Sequence, residues 1–245
     1  MPTPFRVSDY AAGKLPIVCI AHRGFSSKYP ENTLLAFEKA VEVGADMIEF
    51  DIRWTADGHL VIFHDQDLRR IAGRPDRIED LSLEQVRQVD MGMDQKIPTF
   101  EEVMDRMAGR IGMNLHVQSP DELVDRVIDA CRKAGILEEV FLAVGWEDEI
   151  RRLRAEQPDV WVCSLVGQWE PSYVKANFPL DVKLLQPSHR IFERTGDEEV
   201  RLAKQAGMVM GVFYADLYSD FLWMKRLGVE GILTNCPDVF REVLG

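Results

Sequence analysis

The chain alternates, along nearly its whole length, between short runs rich in β-branched residues and longer stretches with helical periodicity. The predicted strands span residues 17–21, 47–52, 113–118, 140–144, 160–166, 182–186, 208–214 and 231–234. The predicted helices span residues 32–43, 99–107, 121–134, 147–156, 171–178, 197–206, 219–227 and 237–244. A closed parallel barrel requires this alternation, whereas a doubly wound open sheet of this length usually has fewer units. The sequence therefore predicts an α/β fold of the TIM (β/α)8 barrel type.

The ends of the helical stretches support this pattern. Asn32 can cap the first predicted helix, because a short polar side chain accepts hydrogen bonds from free backbone N–H groups. A glycine follows four of the helical stretches. Glycine tolerates the left-handed conformation that ends many helices. These glycines are Gly44, Gly135, Gly207 and Gly228.

One segment interrupts the alternation. Residues 59–64 are predicted to form a short extra strand after the second strand. Residues 66–96 are polar and contain a short predicted helix near residues 83–89. We interpret 66–96 as a short insertion within a single barrel domain that covers residues 1–245.

Composition limits the classes of partner. The chain has 245 residues, is 46% hydrophobic and carries a formal net charge of -12, which argues against nucleic acid or an anionic membrane as the main partner. A small phosphorylated substrate is still compatible with this negative charge, because a bound cation can reverse the electrostatic field at one site of an acidic protein. We see no secretory signal and no run long enough to span a bilayer, so we expect no stable membrane insertion and a cytoplasmic location. A homo-oligomer is compatible with this composition.

Paired carboxylates make the second predicted strand unusual. Glu49 and Asp51 lie two residues apart, so both side chains point to the same side of the strand. One of two such carboxylates takes up a proton unless a cation lies between them. Oxygen ligands suit Mg²⁺ or Ca²⁺, and an imidazole such as that of His116 in the next strand moves the preference toward Mn²⁺ or Zn²⁺. A salt bridge to Arg23 or Arg53 is the alternative.

Histidines follow two neighbouring predicted strands. His22 ends the first strand and His64 ends the extra strand. Because imidazole titrates near neutral pH, a pair of histidines beside two carboxylates can supply one base and one acid. Arg23 can hold a phosphate oxygen or form a salt bridge with a nearby acid. His59 is expected to face solvent, and His189 follows the sixth strand, where it could reach the mouth of the barrel.

Five segments in this order resemble the glycerophosphodiester phosphodiesterase family. They are residues 22–24, 30–33, 49–51, 55–58 and 64–65, which read HRG, PENT, EFD, TADG and HD. Two later segments, IPTFEE at 97–102 and GILTN at 231–235, resemble the family's segment before its third strand and its closing strand. The resemblance therefore extends over essentially the whole chain and is strongest up to residue 65.

The resemblance implies a TIM barrel that hydrolyses small glycerophosphodiesters to glycerol 3-phosphate and an alcohol. It implies that His22 and His64 act as general acid and base, and that Glu49 and Asp51 hold a divalent metal ion. In the family a substrate hydroxyl next to the ester can be the nucleophile, which gives a cyclic phosphate that water later opens.

Two strands depart from the family pattern. The third strand of the family usually reads Glu-x-Lys, whereas this chain has His116 and Gln118 at the matching positions. His116 can still ligate a metal, and Gln118 can donate a hydrogen bond to the substrate but carries no charge. The usual Trp-Thr-Val-Asn of the seventh strand is replaced by VFYAD at 212–216, where Phe213 and Tyr214 are candidate substrate contacts. These changes imply an altered metal preference, an altered substrate or reduced activity.

Two alternative functions follow from these departures. A lysophospholipase D or lyase reaction on a lipid phosphodiester requires an apolar surface near the mouth. Phe25, Trp54, Phe213 and Tyr214 are candidates for that surface, although they are equally compatible with core packing. The second alternative is a catalytically inactive barrel that binds phosphate esters.

Overall fold

The computed structural model describes residues 5–245, and in it eight parallel strands close into a barrel. The strands are β1 (Val18–His22), β2 (Met47–Trp54), β4 (Gly112–Val117), β5 (Val140–Val144), β6 (Val162–Ser164), β7 (Leu184–Leu185), β8 (Val209–Val212) and β9 (Gly231–Thr234), with β3 (Leu60–Ile62) lying antiparallel to β2. Closure is shown by β1, which pairs with both β2 and β9. The predicted TIM barrel is therefore confirmed.

One helix precedes β1, and the other helices follow the strands or lie in the loops between them. The helices are α1 (Val7–Ala11), α2 (Leu34–Glu42), α3 (Arg69–Ala72), α4 (Leu83–Val86), α5 (Phe100–Met107), α6 (Glu122–Ala134), α7 (Glu147–Glu156), α8 (Tyr173–Asn177), α9 (His189–Gln205), α10 (Tyr218–Leu227) and α11 (Pro237–Leu244). Short 3-10 helices occupy Ile78–Asp80 and Phe178–Leu180. In the part of the chain that is described, no helix combines the length and the apolarity needed to cross a bilayer.

Strand alternation divides the core into two layers. Side chains such as Ile20 and Met47 point into the barrel, where Tyr10 of α1 packs against them. Their neighbours, such as Phe50, point outward and pack against the helices. On β2 the inward set continues from Met47 to the two carboxylates, because side chains alternate between the faces of a strand.

Residues between β3 and α5 form a small cluster of their own. Phe63, Leu68, Ile78 and Val86 are buried against one another beneath this segment. The segment contains α3, α4 and the first 3-10 helix, and so has more helical structure than the one short helix predicted there.

Several element boundaries differ from the predictions. The predicted cap Asn32 is wrong: the Thr33 side chain accepts the bond from Ala36 N, and α2 begins at Leu34. The last predicted helix before β8 begins at His189 rather than at residue 197. The strands predicted over 160–166, 182–186 and 208–214 are shorter at both ends, and β1 extends one residue further, to His22. The four predicted C-terminal glycines all have positive φ angles, which confirms those helix ends.

Candidate active site

Pairing between neighbouring strands brings the predicted site residues together. Parallel register places His22 of β1 opposite Glu49 of β2, and Asp51 of β2 opposite His116 of β4. Gln118 follows directly after β4. All of these positions lie at the carboxyl ends of the strands, the end at which TIM barrels carry their active sites.

The two carboxylates are buried and extensively bonded. Asp51 accepts hydrogen bonds from Asn32 Nδ2 at 2.9 Å and from Gln118 Nε2 at 2.7 Å. Its Oδ2 atom also lies 3.2 Å from Arg23 Nε. Glu49 accepts a bond from the backbone N of Arg23 at 3.0 Å. Asp51 is therefore held by groups from several loops and strands, and Glu49 is held by the backbone of the turn after β1.

Burial and mutual repulsion separate the proton affinities of the two acids. Burial and the charge of Asp51 together raise the pKa of Glu49 to about 8. For Asp51, burial acts in the raising direction, but the hydrogen bond and charge of His116 and the charge of Arg23 hold its pKa well below the usual range. At neutral pH this pair therefore needs either a proton on Glu49 or a cation beside it.

The same pair, together with His116, forms a candidate metal centre. One ligand atom from each of Glu49, Asp51 and His116 lies within 4.8 Å of the others. His116 Nδ1 is 3.1 Å from Asp51 Oδ1 and 3.9 Å from Glu49 Oε1, so this ring points toward the carboxylates. Two carboxylates and one imidazole fit a divalent cation, although which cation is not fixed by these three groups.

His22 is buried beside the carboxylates. Its Nε2 atom lies 3.9 Å from Glu49 Oε2, and its Nδ1 atom lies 2.8 Å from Asn235 Oδ1. The ring stacks on Tyr214 with centroids 5.3 Å apart and meets the edge of Phe213 at 5.2 Å. Burial and the charge of Arg23 lower the pKa of His22 to about 4, which leaves the imidazole neutral at physiological pH.

His64 is more exposed and belongs to a chain of alternating charges. Its Nδ1 atom lies 2.6 Å from Asp65 Oδ1, and the other oxygen of Asp65 accepts a bond from Arg70 Nε at 2.6 Å. Arg70 also forms two bonds with Glu31, at 2.9 and 2.7 Å. Arg53 donates to the backbone carbonyl of His64 at 3.0 and 2.8 Å, which fixes the loop after β3. This strand ends at Ile62, two residues before the predicted end at His64.

Two of the predicted phosphate contacts are turned toward acids of the site. Arg23, at φ 56°, bonds to Glu31 at 3.0 Å in addition to its contact with Asp51, which is the salt bridge considered as the alternative from the sequence. Gln118 likewise donates to Asp51 and lies 3.2 Å from His116. In this structure the Arg23 guanidinium therefore neutralises carboxylate charge, and the Gln118 amide forms a hydrogen bond with Asp51.

Aromatic side chains line one side of the mouth. Phe213 contacts Trp169 edge to face at 5.9 Å. A cavity of about 360 Å³ lies between Trp169, Trp146 and the candidate ligand His116. Phe25 is buried and Trp54 packs beneath the Arg126 guanidinium, so neither contributes to this wall. His59 is exposed as expected, and His189 lies 4.0 Å from Asp220.

Several residues of this constellation were not recognised as site residues from the sequence. Asn32 and Asn235 lie in motif segments that the resemblance already marked, so a signal for them was present. Glu31, which bonds Arg23, also lies in such a segment, whereas Asp216, which bonds Asn235, ends the segment 212–216 that departs from the family pattern. Arg70 lies in the polar segment 66–96, where no pattern in the sequence points to it.

Known proteins share both the sequence pattern and the fold. The model of the glycerophosphoryl diester phosphodiesterase family matches residues 22–239. A glycerophosphodiester phosphodiesterase of Bacillus altitudinis is 35% identical over 235 residues, which cover 89% of this chain and 94% of that protein. The crystal structure of a Silicibacter pomeroyi protein superposes with a TM-score of 0.86 at 20% identity, covering 98% of this chain and 96% of that one.

A further structure contains a reaction product. It is an Oleispira antarctica phosphodiesterase in complex with the product sn-glycerol-3-phosphate, with a TM-score of 0.81 and 24% identity, covering 95% of this chain and 98% of that one. At this identity the similarity supports the fold. The family match, however, spans most of the chain and includes every clustered residue described above. The chain therefore belongs to the glycerophosphoryl diester phosphodiesterase family.

Proposed function

We propose that this protein hydrolyses glycerophosphodiesters to glycerol 3-phosphate and an alcohol with the help of a divalent cation. The observation that carries the proposal is the meeting of one candidate metal centre and His22 at the carboxyl ends of three adjoining strands. His64 follows β3, the strand that pairs with β2. Family membership supports the same reaction class.

Glu49, Asp51 and His116 would hold the cation. When bound, it would neutralise phosphate charge and favour the pentacoordinate transition state. Hydrogen bonds from Asn32 and Gln118 hold the Asp51 carboxylate in place. Loss of such an outer contact typically lowers metal affinity about 10- to 100-fold.

His22 and His64 would move the protons of the reaction. One imidazole takes the proton of the attacking substrate hydroxyl as its oxygen bonds to phosphorus, and the other gives a proton to the alcohol oxygen as its bond to phosphorus breaks. Water then adds to the cyclic phosphate, giving its proton to one imidazole while the ring P–O bond breaks and its oxygen takes a proton from the other, which yields glycerol 3-phosphate. Both rings have Nδ1 occupied, His22 by Asn235 and His64 by Asp65, so Nε2 is the free nitrogen in each.

The test is turnover by metal-stripped protein after separate addition of Mg²⁺, Ca²⁺, Mn²⁺ and Zn²⁺. Glycerophosphocholine and glycerophosphoethanolamine are the substrates, and glycerol 3-phosphate is the product measured. His22→Ala and His64→Ala should each lower kcat about 10²- to 10⁴-fold. His59→Ala is the matched control, because His59 is exposed and outside the site. Measurable cation binding without turnover of either diester would refute the proposal and favour a binding protein.

An apolar rim favours a second candidate, a lipid phosphodiester such as a lysophospholipid. The rim consists of Tyr214, which stacks on His22, and of Trp169 and Leu217, which line a cavity together with Tyr214. Their exposed fractions are 42%, 55% and 64%, respectively. Exposed apolar groups grouped beside a site commonly mark binding surfaces. An acyl chain that leaves the site over this rim would cover it.

Comparison of two substrates separates the candidates. If a lipid is the substrate, lysophosphatidylcholine should react faster than glycerophosphocholine, and Leu217→Ser should slow only the lipid reaction. Met93→Ser is the matched control, since Met93 is equally exposed but lies in the segment 66–96. Detection of a cyclic phosphate product by ³¹P NMR would distinguish a lyase from a hydrolase.

A further inference from the structure

His22 is held by a short chain of hydrogen bonds that starts at Asp216, in the loop after β8. The Asp216 carboxylate accepts bonds from the Thr234 hydroxyl at 2.9 Å and from both the backbone N and the side-chain Nδ2 of Asn235 at 2.7 Å. Asn235 Oδ1 lies 2.8 Å from His22 Nδ1. The chain of bonds therefore links the end of the last strand to the end of the first.

The direction of these bonds determines where the imidazole hydrogen lies. An ionised carboxylate only accepts hydrogen bonds, so the Asn235 amide must turn its NH2 group toward Asp216. The amide oxygen then faces His22 and can only accept, which requires the hydrogen to be on Nδ1. A neutral imidazole of this kind has its lone pair on Nε2, the atom that lies 3.9 Å from Glu49 Oε2.

The other neighbours of the ring do not make this selection. Glu49 Oε2 lies 3.9 Å from Nε2, which is too long for a hydrogen bond. Tyr214 stacks on one face of His22 and Phe213 meets it edge on, so both fix the plane of the ring. Neither contact distinguishes a hydrogen on Nδ1 from one on Nε2. The choice between the two neutral forms is therefore left to Asn235 and to the groups that orient it. These are Asp216 and the Ser26 hydroxyl, which lies 2.9 Å from Asn235 Oδ1 and 2.7 Å from the backbone oxygen of His22.

We propose that Asp216 is a positioning residue, which fixes the tautomer of His22 through Asn235 and so leaves Nε2 free to accept a proton. In the proposed reaction, Nε2 takes the proton of the attacking hydroxyl as the new P–O bond forms. The bond from phosphorus to the leaving oxygen breaks, and that oxygen takes a proton from the second histidine. The proton transfer rests on the proposed function, but the tautomer is a property of the resting protein.

Isosteric exchanges of acid and amide provide the variants. In Asp216→Asn, the new amide can donate to Asn235, which turns the Asn235 amide over and moves the hydrogen of His22 to Nε2. In the double variant Asp216→Asn/Asn235→Asp, a carboxylate faces His22 and again accepts from Nδ1. Asp220→Asn is the matched control, because Asp220 lies nearby at the start of α10 and does not bond Asn235.

The tautomer is read by ¹⁵N NMR of histidine-labelled protein, with the His22 signals assigned by their loss in His22→Gln. We expect a protonated Nδ1 and a bare Nε2 in the wild type and the reverse in Asp216→Asn. The kcat of that variant should fall about 10²- to 10⁴-fold, the usual contribution of general base catalysis, while KM changes little. The double variant should recover the wild-type tautomer and most of the lost kcat.

A hydrogen on Nε2 in the wild type would overturn the proposal, and so would a wild-type tautomer in a folded Asp216→Asn protein. If Asp216→Asn does not fold, the position of the His22 hydrogen in the wild type and in the double variant still tests the proposal, which expects it on Nδ1 in both. A tautomer that changes as expected in a protein without diesterase activity would support the positioning role and refute the proposed function alone.

Discussion

Gly24→Ala should destabilise the protein strongly, because the turn that carries His22 has no room for a side chain. Gly24 has φ +80°, and a Cβ atom there would lie 2.8 Å from the carbonyl carbon and the Cβ of Ala36, and 2.9 Å from the Ala36 oxygen. The Ala36 carbonyl is already bonded to Phe25 N at 3.0 Å. Helix α2 would therefore have to move away from the turn.

The size of the effect follows from two contributions. A left-handed conformation costs an L-residue roughly 1–2 kcal/mol, of which about 0.4–1 kcal/mol is offset by the less flexible unfolded chain. Overpacking against backbone atoms adds about 1–3 kcal/mol. We expect a total loss of about 2–4 kcal/mol in the free energy of unfolding, or about 5–15 °C in Tm for a chain of this size.

Gly13→Ala separates the two contributions. Gly13 has φ +62°, and a Cβ atom at this position would meet no described atom within 4 Å, so only the conformational cost applies. Urea unfolding followed by tryptophan fluorescence should give a loss of about 1 kcal/mol or less for this variant. Equal losses for Gly13→Ala and Gly24→Ala would refute the steric argument. A movement of the turn should also weaken cation binding, because the neighbouring backbone N donates to Glu49.

The metal centre and its surroundings give four further predictions. Because the pKa of Glu49 is raised to about 8, cation affinity measured by calorimetry should rise about tenfold per pH unit up to that value, and Glu49→Gln should remove this slope. The proton on Glu49 stabilises the metal-free fold at low pH, and this stabilisation is lost as the pH rises toward 8. Because a bound cation replaces the lost proton, added cation should increase Tm more at about pH 8 than at about pH 6. Arg70→Ala should lower kcat about 10- to 100-fold, whereas Arg69→Ala, whose partner is outside the site, should not. His116→Glu should shift the cation preference measured by activity from Mn²⁺ or Zn²⁺ toward Mg²⁺ or Ca²⁺.

The sequence was sufficient for the barrel and for the inward direction of the strand residues. Alternation of strands and helices is a repeated signal, and the spacing of Glu49 and Asp51 fixes their common face once β2 is recognised. These features depend on local periodicity, which the sequence contains. Whether His116 faces the carboxylates depends instead on the register of β2 and β4, which the structure gives and local periodicity does not fix.

Some helix ends could not be predicted, because they depend on tertiary contacts that leave no local pattern in the sequence. Asn32 and Thr33 are both good capping residues, but Asn32 adopts φ 56° and turns its amide to Asp51, so Thr33 is left to cap α2. Gly196 resembles a helix breaker, yet it lies inside α9, where a Cβ atom would be 3.2 Å from Leu227. There the glycine serves close packing between two helices, a requirement set by the tertiary structure.

The two histidines are supported from different parts of the barrel, and this difference has a functional consequence. His22 is oriented from the last strand, whereas His64 is tied through Asp65 and Arg70 to Glu31. Arg70 belongs to the segment 66–96, so a change in this segment acts on His64 without passing through the support of His22. Sequence variation there therefore acts on His64 directly through Asp65, and it reaches the metal ligand Asp51 through Glu31 and Arg23.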